Sequence, residues 1–235
     1  MEGGPFQQDW WIEEAKGFVP YLNVEARWEG APDQGMLSEK GGRGFPYSVI
    51  MNADGEVIWE VRPTSHEVLV EGLASARQLQ ALKQRLAKTP DDKGLAASVE
   101  LLAALGHSQR AMRPVAELEK FRAVEGIDAD VLERFDPWFE GKKFDEKFNK
   151  AIEPFGRNRE AYGPAILQLF KDGVRPPASS RSGASFWRYA FAGAEAAGDK
   201  DSATAIVEAF GKSAADDSRT QGLLTTLRKK LAAMD

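Results

Sequence analysis

The residue types that most often carry out chemistry in proteins are scarce in this chain. The 235-residue sequence has no cysteine and two histidines, His66 and His107. Without cysteine, the chain cannot form a disulfide, bind zinc through thiolates, use a thiolate nucleophile or cycle a Cys-x-x-Cys redox pair. Two histidines also leave few starting points for a Ser-His-Asp triad or a multi-histidine metal site. The sequence therefore indicates no catalytic residue, no metal ligand and no cofactor-binding residue.

Each histidine is interpreted as an ordinary surface residue. His66 falls in the first turn of a predicted helix, where the positive end of the helix dipole disfavours a cationic imidazole. A general base would need a nucleophile and an orienting carboxylate beside it, and no motif supplies them. His107 falls in a predicted turn between two helices and receives the same interpretation.

Two patterns look like ligand sites but lack the required spacing. Residues 41–44, Gly-Gly-Arg-Gly, have no Gly-Lys-Ser/Thr ending and precede a strand instead of a helix, so a phosphate cradle is not predicted. Five acidic residues have no EF-hand spacing for Ca²⁺, and a solvated acidic face explains them: Glu13, Glu14, Glu25, Glu29 and Asp33.

Charge is distributed unevenly along the chain. Residues 1–72 contain 13 Asp/Glu and 5 Lys/Arg, a net charge of −8, whereas residues 73–235 contain 23 and 26, a net charge of +3. Neither part has the concentrated basic stripe that phosphate binding requires, so nucleic acid is not expected as a partner. The longest apolar runs fall far short of the ~20 residues of a membrane helix, so membrane insertion is not expected either.

Residues 1–88 are predicted to mix helices and strands. The predicted elements are a helix over 5–16, a strand over 18–26, a short helix over 36–40, a hairpin over 45–61 and a helix from 65 to about 88. Phe6, Trp10, Trp11 and Ala15 are spaced for one face of the first helix. The Asp54-Gly55 pair tolerates the positive φ that a hairpin turn requires. Thr64 is expected to cap the last helix by accepting from the Glu67 amide, and Gly72 to bend it.

Residues 89–235 are predicted to be helical throughout. The predicted helices cover 91–105, 109–125, 128–140, 143–153, 157–172, 182–197, 199–213 and 216–234, with a flexible loop over 175–183. Aromatic residues within 135–148 and 186–191 have helical spacing and are predicted to be core. Residues 105–111 and 197–203 share a loose pattern that resembles the turns of tetratricopeptide-type helical hairpins.

Residues 44–57, Gly-Phe-Pro-Tyr-Ser-Val-Ile-Met-Asn-Ala-Asp-Gly-Glu-Val, resemble part of a thioredoxin-like domain. In that family a cis-proline begins a central strand, and a hairpin and a closing helix follow. Residues 18–25 are similar to the family's preceding strand, and residues 65–88 to its closing helix. The resemblance covers residues 1–88 and implies that Pro46 is the cis-proline. The family's first strand and its Trp-Cys-x-x-Cys helix start have no counterpart here.

The resemblance carries expectations about peptide binding and assembly. Thioredoxin-like proteins pair the backbone beside the cis-proline with an extended peptide, so Gly44, Phe45 and Pro46 are the peptide-binding candidates. The opening residues 1–6 are similar to the segment that follows the Cys-x-x-Cys motif, so we expect either that the motif lies upstream of this chain or that it has been lost. Without the first strand, a sheet edge is exposed. We expect this edge to be covered either by the helical region or by a second copy of the chain, which would form a homo-oligomer.

The expected fold class is therefore α+β/α. A partial thioredoxin-like α/β domain over 1–88 is followed by an all-helical domain of helical hairpins over 89–235. The first functional hypothesis is a non-catalytic module that binds a protein or peptide through the cis-proline edge and the helical array. The alternative is a thiol-disulfide oxidoreductase whose cysteines lie upstream of this chain. Because the chain has no secretion signal, localisation stays open between the cytoplasm and, for a chain that begins upstream, the periplasm.

Overall fold

A computed structural model describes residues 7–21, 35–44, 47–61, 65–106, 113–213 and 218–234. Within these residues the chain is mostly helical and has one small antiparallel sheet. The helices are α1 (Asp9–Glu14), α2 (Met36–Glu39), α3 (His66–Lys88), α4 (Lys93–Gly106), α5 (Val115–Arg122), α6 (Ala129–Ile152), α7 (Tyr162–Lys171), α8 (Gly183–Ala196), α9 (Lys200–Ser213) and α10 (Ser218–Ala232).

The chain divides into two compact units, Met1–Leu132 and Glu133–Asp235. Helices α3, α4 and α5 and the sheet belong to the first unit, and α7 to α10 belong to the second. The division that the sequence suggests between residues 88 and 89 concerns domain organisation and stays a prediction.

The predicted hairpin is confirmed. Strands β1 (Val49–Met51) and β2 (Val57–Glu60) pair antiparallel. In the turn, the Asn52 side chain accepts a hydrogen bond from the Glu56 amide at 2.8 Å, and Gly55 has a φ of +77°. Glycine reaches this conformation without the steric cost that other residues carry, which explains why the Asp-Gly pair marks the turn.

Two glycines allow the helices of the first unit to pack against the hairpin. A Cβ atom on Gly72 of α3 would lie 3.2 Å from the Trp59 ring, and one on Gly106 of α4 would lie 2.6 Å from that ring. Trp59 and Val61 are buried there. Gly72, where we expected a bend, is therefore a position of close packing between α3 and the hairpin.

The N-cap of helix α3 is Ser65, one residue after the predicted cap. Ser65 has an extended backbone, with φ −104° and ψ 166°, and its hydroxyl accepts a hydrogen bond from the Val68 amide at 3.4 Å. These are the properties of an N-cap residue, which bonds an amide two or three positions ahead. The predicted cap Thr64 lies outside the described residues, so its pairing with the Glu67 amide stays a prediction.

Two further predictions in the first unit need correction. Residues 18–21 contain no strand, and the rest of the predicted strand over 18–26 lies outside the described residues. The helix predicted over 109–125 is shorter, because Pro114 is its N-cap and the helix covers Val115–Arg122. A proline inside the helix would lack an amide donor and would clash with the preceding turn.

The two helices predicted over 128–140 and 143–153 form the single helix α6. Gly141, interpreted as a break, lies inside it. A Cβ atom on Gly141 would lie 2.7 Å from the Ser179 carbonyl oxygen, so this glycine permits a neighbouring segment to approach the helix. Gly141 therefore allows close packing against Ser179 and does not end the helix.

The predicted flexible loop over 175–183 is held by side-chain hydrogen bonds. The Asp145 carboxylate of α6 accepts hydrogen bonds from the Ser180 hydroxyl and from the Ser182 amide, both at 2.9 Å. The Arg175 guanidinium lies over the Phe170 ring, with 3.7 Å between its central carbon and the ring centroid. The Asp145 carboxylate is an anionic acceptor for the Ser182 backbone amide. Such charge-assisted hydrogen bonds stabilise a loop whose composition predicts flexibility.

The core of the second unit is aromatic, as predicted from spacing. Most aromatic residues of the two predicted clusters are almost fully buried: Phe135, Phe139, Phe144, Phe148, Phe186, Trp187 and Phe191. Helices α7 and α8 approach most closely where Gly163 faces Gly193, since a Cβ atom on Gly163 would lie 2.9 Å from the Gly193 Cα atom. The absence of two side chains lets these helix backbones nearly touch.

Candidate functional site

The peptide-binding candidate from the sequence lies mostly outside the described residues. Phe45 and Pro46 are among the residues that the structure does not describe, as is His107. Gly44 lies in a bend with nothing within 4 Å of the position that a Cβ atom would take. The binding surface of Gly44, Phe45 and Pro46 stays a prediction.

His66 takes part in an aromatic contact that its sequence position does not reveal. Its ring stacks on the ring of Trp10, with 4.7 Å between centroids and an interplanar angle of 25°. Its Nε2 atom lies 3.6 Å from a carboxylate oxygen of Glu14. Because α1 carries both partners, His66 joins α1 to the start of α3.

The segment that follows Trp10 exposes large apolar side chains. We call residues 10–21 the aromatic segment. Ile12 and Tyr21 are each 58 % exposed and Val19 is 91 % exposed, and no residue of α1 is buried. Isolated exposed apolar residues are common on proteins, but several in one short stretch indicate an interaction surface.

Ring contacts and one hydrogen bond hold residues 10–18 of the aromatic segment. Trp11 makes edge-to-face contacts with Trp10 and Phe18, with ring centroids 6.0 and 5.6 Å apart. At the other end of α1, the Arg77 guanidinium donates to the Gly17 carbonyl at 3.5 Å. These contacts join the His66 stack in fixing the segment along α3. Ile12 therefore projects from a helix that is held against α3, and Val19 and Tyr21 follow shortly after it.

Helix α1 and the first turns of α3 carry acidic side chains. Asp9, Glu13 and Glu14 lie on α1, and Glu67 and Glu71 are exposed on the first turns of α3. The Glu67 backbone amide and then the Ser65 hydroxyl donate hydrogen bonds to its carboxylate, which lowers the pKa of Glu67 below its ordinary value. Glu67 is therefore anionic at neutral pH, because a carboxylate that accepts such bonds binds a proton less readily.

The sequence predicts Trp10 and Trp11 on one face of a helix and Val19 and Tyr21 in a strand. In the structure α1 ends after six residues and continues as the 3₁₀ turn Ala15–Gly17, and its two tryptophans are half-buried.

A second concave surface lies between α7 and α8 in the helical unit. This groove has a volume of about 260 Å³ and is lined by Pro164, Leu167, Gln168, Lys171, Gly193, Ala196 and Ala197. Its width follows from the contact of Gly193 with α7. The Lys171 ammonium at its end donates to an Asp199 carboxylate oxygen at 2.8 Å, so the cation of the groove is engaged within the fold.

Asp199 caps α9, and its stability contribution should depend on pH. Lys171 donates to its carboxylate, and the Ser202 amide and hydroxyl donate as well, so the pKa of Asp199 lies well below its ordinary value. A carboxylate whose pKa falls on folding stabilises the folded state above its unfolded pKa of about 4. That contribution is lost as the pH falls through the lowered folded value.

We therefore expect Asp199→Asn to lower the Tm at neutral pH and to have a progressively smaller effect below about pH 4. Thermal unfolding of both proteins across this range measures the difference. Asp201→Asn, at an exposed carboxylate in the first turn of the same helix, is the matched control and should change the Tm little. A Tm difference for Asp199→Asn that is equal at all pH values would contradict the assignment.

No protein family, curated protein or solved structure matches this chain. Within the described residues, no group of three or more His, Asp or Glu side chains could hold a metal ion. None of the helices in the described part of the chain combines the length and apolar character needed to cross a bilayer.

Proposed function

We propose that this chain is a non-catalytic protein-interaction module that binds a protein or peptide segment through the aromatic segment. The observation that supports this most directly is the exposure of Ile12, Val19 and Tyr21 in one short stretch, whose first part ring stacking and a hydrogen bond hold against α3. Tyrosine and tryptophan are enriched where proteins bind one another, because they bury a large area with few rotatable bonds.

The held part of the backbone strengthens this proposal. Binding is costly when a flexible segment must be ordered, and a segment that is already ordered avoids most of that cost. The groove between α7 and α8 is a second candidate surface for the expected peptide-binding role of the helical array.

Selection of peptides from a displayed library against the purified chain tests the proposal. We expect enriched peptides whose affinity falls at least about tenfold when Val19→Ser and Tyr21→Ser are combined, as for residues at the centre of an interface. Phe155→Ser is the matched control, because Phe155 is 36 % exposed in the second unit. Equal binding by the wild type and the double variant would overturn the proposal.

A further inference from the structure

We infer that the partner of the aromatic segment is a cationic amphipathic peptide segment, in which lysine or arginine side chains stand beside large apolar ones. This inference rests on the proposed function and adds the chemistry of the partner to it. It follows from the position of exposed apolar groups among carboxylates on one short stretch of the chain.

The apolar half of the inference comes from what the segment leaves exposed. Val19 and Tyr21 follow Phe18, whose ring lies 5.6 Å from that of Trp11, and they are 91 % and 58 % exposed. Large apolar side chains of a partner are the groups that gain most from covering them.

The cationic half comes from the balance of charge around the segment. Asp9, Glu13 and Glu14 lie within α1, while Lys16 pairs with Glu13 at 2.7 Å and Arg77 donates to the backbone of Gly17. These five side chains sum to a net charge of −1, and Glu13 and Glu14 lie beside Lys16 and His66. Residues 1–72 carry a net charge of −8, which attracts a cationic partner at long range and accelerates its association.

Aromatic rings add a second attraction for the same cations. A lysine or arginine within about 6 Å of a tyrosine or tryptophan ring face is held by the negative face of the ring. Tyr21 is exposed and the Trp10 and Trp11 rings are half-buried. A partner that carries cations beside apolar side chains can therefore use the carboxylates and the rings together.

Other occupants fit this chemistry less well. The phosphates of nucleic acid and the headgroups of an anionic membrane would be repelled by the same carboxylates. A second copy of this chain offers cations on α10, such as Lys229 and Lys230, but the leucines beside them, Leu224 and Leu227, are buried in its own core. The basic helix therefore cannot present cations and apolar side chains together.

Three matched fluorescent peptides test the inference against the full chain. One is a short amphipathic helix of leucine and lysine, and the other two replace every lysine with glutamine or with glutamate. We expect the lysine peptide to bind at least about tenfold more tightly than the glutamine peptide, and the glutamate peptide to bind most weakly. Raising the salt concentration from about 0.05 to about 0.5 M should remove most of that difference.

Charge variants locate the effect. The triple variant Asp9→Asn, Glu13→Gln, Glu14→Gln should bind the lysine and glutamine peptides with similar affinities, and its retained binding of the glutamine peptide shows that the segment is still folded. The control neutralises three exposed carboxylates of the second unit and should leave the lysine preference intact: Glu153→Gln, Glu160→Gln and Glu208→Gln.

The outcomes separate the inference from the function on which it rests. If the lysine and glutamine peptides bind equally and both are lost with Val19→Ser and Tyr21→Ser, the partner chemistry is wrong and the interaction role stands. If binding of the lysine peptide ignores that double variant, both are wrong. Self-association in sedimentation, or binding to zwitterionic lipid vesicles, that the double variant abolishes would assign another occupant and overturn the inference.

Discussion

Replacing Gly193 with alanine is expected to lower the stability of the helical unit by about 2 kcal/mol. A Cβ atom at this position would lie 2.6 Å from the Gly163 carbonyl carbon and would also collide with its oxygen. Backbone atoms cannot rotate away as a long side chain can, so α7 and α8 would have to separate. Overpacking of this kind costs about 1 to 3 kcal/mol, and it outweighs the gain of at most about 1 kcal/mol from replacing a helical glycine.

Gly222→Ala supplies a control with the opposite sign. Gly222 is exposed on α10, and no atom lies within 4 Å of the position that its Cβ atom would take. The substitution should therefore stabilise the helix by about 1 kcal/mol through helix propensity alone. Urea unfolding followed by circular dichroism compares the two variants. If the urea concentration at the unfolding midpoint rises for Gly193→Ala as it does for Gly222→Ala, the close approach of α7 and α8 does not constrain Gly193.

The same contact determines the groove between α7 and α8. Gly193 both lines the groove and touches α7, so separation of the helices would change the shape of the cavity as well as the stability. Peptide binding at the groove and the free energy of unfolding should therefore respond together to Gly193→Ala. Binding at the aromatic segment, which belongs to the first unit, is the comparison measurement.

The elements that the sequence predicted well are those that local chemistry determines. The hairpin depends on Asn52 and Gly55, whose turn preferences act over four residues, and a pattern of apolar residues flanks them. The aromatic residues of α6 and α8 repeat at helical spacing, and a helix with such a face buries it against its neighbours. Sequence spacing was sufficient in both cases because the interacting groups are near one another along the chain.

The elements that it missed depend on contacts between distant residues. Gly141 resembles a helix break until Ser179, almost forty positions away, is seen to pack against it. Composition suggests that the loop over 175–183 is flexible, and Asp145 of another element holds it. The aromatic segment is similar, since nothing local distinguishes a tryptophan that stacks on His66 at the surface from one that is buried in a core.

Trp187→Ala should produce the largest loss of stability, about 4 kcal/mol, because Trp187 connects three helices of the second unit. It is 3 % exposed, and its ring lies 5.4 Å from that of Phe210 on α9 and 6.2 Å from that of Phe170 on α7. Removing a buried tryptophan side chain leaves a cavity that rigid neighbours cannot fill, which costs about 3 to 5 kcal/mol.

A loss of this size is a large fraction of the 5 to 15 kcal/mol that stabilises a typical protein, so we expect exposed amides and faster hydrogen exchange throughout α7, α8 and α9. Trp187→Phe keeps an aromatic ring against Phe210 and should restore much of the protection, whereas Phe155→Ala, at a partly exposed ring, should cost less than about 1 kcal/mol. Hydrogen exchange followed by mass spectrometry resolves these helices separately. If exchange rises only in α8, the three helices do not share one core, and the helical array consists of independent hairpins instead of one cooperative unit.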